Sequence, residues 1–245
     1  MRTIAIANHK GGVGKTALAH ALGVILSGEH SRRVLLVDLD PQASLTGACG
    51  VREAGGRSLA EVIDGAQAGT MALADVIQPL GERLDLVPGD IALSSCELGL
   101  VARMGRESVL KRALATVARS YDVAILDCPP SLGLLTVNAL NAADGVLIPT
   151  IPEIQALRGL ALFWQSLQTV REALNPELHV IGIVPTFYDG RLIHHREALE
   201  ALQAGGLPVL DVAIGRSVRV AESAAIGESV ITYDPSNKRS GELRE

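Results

Sequence analysis

Short apolar runs rich in Val, Ile, Leu and Ala alternate with longer amphipathic stretches along the whole chain. The runs predict strands at 3–8, 33–38, 84–87, 122–127, 144–149 and 178–184, with a shorter one near 207–210. The stretches between them predict helices at 15–27, 58–64, 91–103, 106–119, 133–142, 155–173, 192–204 and 217–225. Strands alternating with helices imply βαβ units. The expected fold is therefore a single α/β domain, with a mostly parallel twisted sheet and helices on both faces. Residues 41–57 are rich in Gly, Ala and polar side chains and read as a mobile loop after the second strand. The polar stretch 234–245 reads as a partly frayed tail.

Composition narrows this picture. The 245 residues suffice for one large core, and the 48% hydrophobic content suits a sheet buried on both faces. Aromatics make up only 2%, which argues against nucleic-acid binding by base stacking. A net charge of −5 argues against a globally basic surface but leaves room for a local arginine patch. Cys49, Cys96 and Cys128 have no paired spacing, so neither a disulfide framework nor a cysteine metal site is expected, and a reducing cytoplasm is the plain reading. Cys128 reads as a small buried filler. No apolar run is long enough to span a membrane.

The chemistry concentrates at His9-Lys10-Gly11-Gly12-Val13-Gly14-Lys15-Thr16, between the first strand and the first helix. Glycines let successive backbone N–H groups turn toward one anion, and the helix start adds unpaired donors and a positive dipole end. In such a P-loop, Lys15 lies on the β/γ-phosphates and the Thr16 hydroxyl ligates Mg²⁺. The loop departs from G-x-x-x-x-G-K-[ST] in having His9 where a glycine belongs, and it carries an additional cation, Lys10, at its front.

Two apolar strands end in acids. Val34–Val37 leads to Asp38 and Asp40, and Val123–Leu126 leads to Asp127 followed by Pro129-Pro130. Ligands of open α/β sheets bind beyond the carboxyl ends of the strands. Alternation puts Asp38 and Asp40 on the same side, one to help hold the Mg²⁺ shell and the other to orient an attacking water. Asp127 has the form of a Walker B acid that contacts Mg²⁺ directly or through water. The prolines break the chain sharply, and a rigid break beside the γ-phosphate would serve as a switch that senses ATP versus ADP.

The form K-G-G-x-G-K-T resembles the deviant Walker A loop of the ParA/MinD superfamily of ATPases. Val184-Pro185-Thr186-Phe187-Tyr188-Asp189-Gly190-Arg191 and Ile214-Gly215-Arg216-Ser217-Val218-Arg219-Val220-Ala221-Glu222 resemble two further segments of its ParA/Soj branch, and the similarity spans nearly all of 1–233. The resemblance implies one deviant Walker A ATPase domain over 1–245, without an N-terminal helix-turn-helix domain. It implies that ATP is held by Lys10, Gly11, Gly12, Val13, Gly14, Lys15, Thr16 and Ala17. Gly215 and Ser217 stand near the adenine where the family has Pro and Asn, and Ala17 replaces a second threonine. Mg²⁺ falls to Thr16, Asp38 and Asp127. Lys10 would reach the partner's ATP across a homodimer interface, and Asp40 would serve water activation. Arg191, Arg216 and the weaker candidate Arg219 match arginines of sequence-independent DNA binding. His194-His195, beside Arg191, reads as a solvated helix start.

The expected function is chromosome or plasmid partitioning. ATP drives dimerisation, the dimer binds double-stranded DNA on the nucleoid, and hydrolysis, stimulated by a ParB-type centromere-binding protein, releases it. Competing readings are a MinD-like membrane ATPase, for which 234–245 lacks an apolar helical face, a cargo-positioning relative, and a P-loop ligase or kinase.

Overall fold

The computed structural model describes residues 1–52, 54–65 and 71–245, apart from the side chains of 154–158. Seven strands form one sheet in the order β3-β4-β2-β5-β1-β6-β7. They are β1 (Arg2–Ile6), β2 (Val34–Asp38), β3 (Gln78–Pro79), β4 (Leu84–Val87), β5 (Val123–Asp127), β6 (Gly145–Thr150) and β7 (His179–Pro185). All neighbours are parallel except β3 on β4. The two-residue edge strand β3 escaped the sequence reading because it is too short for any periodicity, and its Pro79 confines it to an edge.

Alternation along the strands sorts side chains to two faces. Leu35, Val37, Ala124 and Leu126 join one buried cluster with Phe163 and Leu167 of α7 (Ile154–Ala173) and Leu110 and Leu114 of α5 (Val109–Val117). Val34, Leu36 and Ile125 join the other with Leu18 and Ala21 of α1 (Lys15–Val24). A doubly covered parallel sheet is the outcome the composition called for. At Gly23 of α1, an added Cβ would lie 2.8 Å from Leu36 Cδ2, so helix and sheet meet closely there.

Four expectations change. Within 41–57, of which residue 53 lies outside the described residues, Ser44–Ala48 is a short helix, α2; Thr46 N–H and Oγ1–H both donate to buried Asp38, at 2.8 and 2.7 Å, and fix its start. The stretch near 207–210 makes a single bridge, Ile183 to Val209, because Pro208 has no N–H to extend a ladder. The tail is ordered: Asn237 caps α11 (Lys238–Arg244), Leu243 is buried and Arg244 pairs with Glu29 at 2.7 Å. His195, in α8 (Ile193–Ala204), is buried rather than solvated, its Nδ1 accepting from Asp189 N–H. The turn after α2 touches the turn after α9 (Val218–Ala225) through two positive-φ glycines; a Cβ on Gly227 would lie 2.6 Å from Gly50 Cα.

Candidate nucleotide site and arginine segments

The loop after β1 is pinned before any ligand arrives. The buried Asn8 amide donates to Pro149 O and Thr150 Oγ1, while its Oδ1 accepts from Lys10 N–H. Thr186 Oγ1, just past β7, donates to Val13 O at 2.8 Å. Gly12 and Gly14 take φ of +69° and +88°, a region that favours glycine, and Gly14 is the N-cap of α1. Backbone N–H groups at a helix start thus face one cavity. It measures about 470 Å³ and is lined by Gly11 to Ala17 of the loop together with Asp40, Pro130, Phe187, Ser217 and Glu228. A larger hollow of about 790 Å³ around Pro41–Arg52 and Ala225–Gly227 contains none of the phosphate-loop residues.

Lys15 is buried and its ammonium reaches back to Lys10 O at 3.2 Å. Burial pulls its pKa down, against the attraction of Asp127. Thr16 Oγ1 donates to Asp127 Oδ2 at 2.7 Å, while Asp127 Oδ1 is buried with no hydrogen-bond partner. Asp38 lies opposite Asp127 in the β2–β5 register. Burial pushes Asp38 up to about 6, and burial together with the Asp38 charge pushes Asp127 well above the carboxylate range. A hydroxyl, an orphaned carboxylate oxygen and an excess of buried negative charge in one corner fit a hard divalent cation. Asp38 is placed differently from Asp40: its oxygens accept from Thr46 and from Asp40 N–H, whereas Asp40 lines the cavity and accepts from Gln42 N–H. Asp38 therefore holds α2 in place and acts on the site through its charge. Thr46 carries no sequence signal that would have revealed this.

Lys10 does not line the cavity; its ammonium sits 3.2 Å from Glu153 Oε2, at the start of α7. Glu153 was invisible to sequence reasoning because the contact spans 143 positions. Ser217 lines the cavity and caps α9, its Oγ accepting from Arg219 N–H. Gly215 is not among the lining residues. Its N–H donates to Glu242 at 2.9 Å, and a Cβ there would overlap the Arg239 guanidinium.

The two arginine segments run side by side through the Thr186–Ile214 bridge and the bond from Tyr188 N–H to Ile214 O. Arg191 is highly exposed and grips Asp189 at 2.7 Å, holding that carboxyl well below the usual range. Arg216 lies over the Phe187 ring, 5.4 Å from its centroid. Arg219 is engaged by Glu222 and Asp234, at 2.9 and 3.7 Å.

A parallel sheet with a glycine loop, an in-loop lysine and a strand-end acid at its carboxyl edge defines a P-loop nucleotide-binding protein. Comparison with known proteins narrows the class. Residues 1–180 match the AAA domain family. The sporulation initiation inhibitor protein Soj of Bacillus subtilis is 39% identical, over 97% of this chain and 93% of its own. The chromosome partitioning protein ParA of Myxococcus xanthus is also 39% identical, over 97% of this chain and 83% of its own. Among solved structures, one from Mycobacterium smegmatis described as cobyrinic acid a,c-diamide synthase with bound ADP and magnesium superposes with a TM-score of 0.82, at 39% identity, over 96% of this chain and 93% of its own. The chain belongs to the ParA/Soj family of ATPases.

Proposed function

We propose that the chain is an ATP-dependent dimerising ATPase of DNA partitioning, which holds DNA non-specifically on the nucleoid while ATP is bound and releases it after hydrolysis. The observation that carries this reading is the division of labour between two lysines. Lys15 lies within the phosphate loop, whereas Lys10 is kept outside the cavity by Glu153. A cation displaced from its own phosphate cavity is available to a second protomer's nucleotide.

ATP fits the cavity with its phosphates at Gly11–Thr16 and its base toward Phe187 and Ser217. Thr16 and Asp127 would hold Mg²⁺, which supplies neutralisation of phosphate charge when bound. Asp40, which lines the cavity, would orient water, and Lys15 and Lys10 would stabilise charge on the transferred group. Ala17 offers no hydroxyl to the phosphates. The paired segments bring Arg191 and Arg216 together as exposed cations, which suits phosphate contacts. Arg219 is a secondary contact because two carboxylates already engage it. The relatives named for chromosome partitioning support a ParB-type protein as the stimulating partner. Among the described residues no helix is long and apolar enough to cross a membrane.

The test is a DNA titration with ATP, ADP and no nucleotide at two salt concentrations. Binding should require ATP and tolerate any sequence. With two arginines per protomer each neutralising one phosphate, affinity should fall about a hundredfold between roughly 50 and 200 mM salt. Arg216→Glu should abolish binding and spare ATP-dependent dimers. Equal binding with ATP and ADP would sink the reading.

A further inference from the structure

Phe187 is conspicuous in three ways. Its φ is +51°, a region where a bulky aromatic residue is a genuine outlier, and such strain persists only where surroundings over-determine it. Its ring lies against the phosphate loop: a Cβ on Gly14 would be 3.8 Å from ring atoms Cε2 and Cζ. The same ring lines the cavity and carries the Arg216 guanidinium. One side chain therefore touches the phosphate loop, the cavity, and a candidate DNA contact.

The backbone around Arg216 has little freedom to respond on its own. Ile214 N–H donates to Pro185 O at 2.8 Å, Gly215 N–H to Glu242, and Ser217 caps α9. What remains soft is the Arg216 side chain, and the surface it rests on is the Phe187 ring. A guanidinium is attracted to an aromatic face and stacks on it. Between the phosphate loop and the guanidinium, the rest of the ring faces the cavity. A planar base in the cavity confines the ring, and with it the guanidinium, before DNA arrives. Ordering a long side chain in advance lowers the cost of binding.

We propose that Phe187 is a positioning residue that couples occupancy of the nucleotide cavity to the setting of Arg216. The proposal rests on the reading above, that ATP fills this cavity and Arg216 meets DNA, and adds the physical link between them. Neither the loop motif nor the arginine motif contains this link.

The test uses the full chain with ¹⁵N-labelled arginine, following the Arg216 Nε–H signal, assigned with Arg216→Lys, as Mg²⁺ and a non-hydrolysable ATP analogue are added. In the wild type the signal is displaced by the ring and moves on addition of nucleotide. In Phe187→Leu that displacement is lost and nucleotide no longer moves the signal, while Phe187→Tyr restores both. DNA affinity is then compared with ATP and with ADP, each variant being saturated according to its own measured nucleotide affinity. A stacking contact on each of two protomers makes the gain given by ATP fall about fivefold or more in Phe187→Leu, and Phe187→Tyr keeps it within about twofold of wild type. A wild-type Arg216 signal unmoved by nucleotide overturns the proposal even if Phe187→Leu fails to fold. So does a full ATP-dependent gain in Phe187→Leu. A wild type whose DNA affinity ignores nucleotide, with an Arg216 signal that nonetheless responds, overturns the partitioning reading instead and leaves the coupling standing.

Discussion

Asp127 has one carboxylate oxygen bonded to Thr16 and one buried without a donor, with Asp38 opposite it on the neighbouring strand. Burial raises both above the ordinary carboxylate range, so in the absence of a cation the folded chain retains protons that the unfolded chain releases. The stability this contributes is complete below the unfolded pKa of about 4 and is lost as pH rises through the folded value, about 6 for Asp38. His20 acts in the opposite sense. Burial holds it down to about 4, so its contribution is present above about 6.5 and lost as pH falls through about 4. A bare pH–stability curve therefore mixes two opposing slopes. The Asp127-dependent part of the thermal shift produced by Mg²⁺ with a non-hydrolysable ATP analogue reports the carboxylates, because the cation must displace their protons. That shift should be larger at about pH 7.5 than at about pH 5.5, and Asp127→Asn should remove most of the difference.

At the scale of elements, α11 closes the gap left by a departure from the family pattern. Where the family has a proline, Gly215 supplies an N–H to Glu242, and Arg239 occupies the space a ring would fill. Gly215→Pro removes that donor and overlaps Arg239, so it should destabilise the chain by roughly 2–3 kcal/mol in chemical denaturation. An undiminished midpoint would show that α11 does not brace this segment. The same region shows where sequence reading stops. The phosphate loop, the strands ending in Asp38 and Asp127, and the parallel α/β class were legible because each is a local pattern in a local context. The helix at 238–244 was not, since apart from its Asn237 cap what orders it is largely non-local: the Gly215 N–H 27 positions away, the Arg244–Glu29 pair, and buried Ser240 and Leu243. Phe187 stood inside a recognised segment, but neither its positive φ nor its two contacts leave a trace in residue type.

For the molecule as a whole, the ion pair between Lys10 and Glu153 joins the first loop to the start of α7. If Lys10 is to reach another protomer, this pair must open, and the pair is a partly exposed one worth about 0.2–1 kcal/mol. Glu153→Gln should therefore dimerise at ATP concentrations about two- to fivefold lower, measured by light scattering. Lys10→Ala should lose the dimer while monomers still take up nucleotide. Normal dimers from Lys10→Ala would show that the lysine serves only its own loop.

The contact of Gly50 with Gly227 joins stretches far apart in the chain without a single side chain at the point of touch. No patterned pair of residues records it, and nothing in the amino-acid alphabet can strengthen it; every substitution at either place adds bulk. A hybrid built by splicing the front of this chain to the back of a relative would therefore seat the turn after α2 against the turn after α9 only when the residue at 227 arrives bare and the one at 50 tolerates a positive φ, however well the rest of the two halves agree.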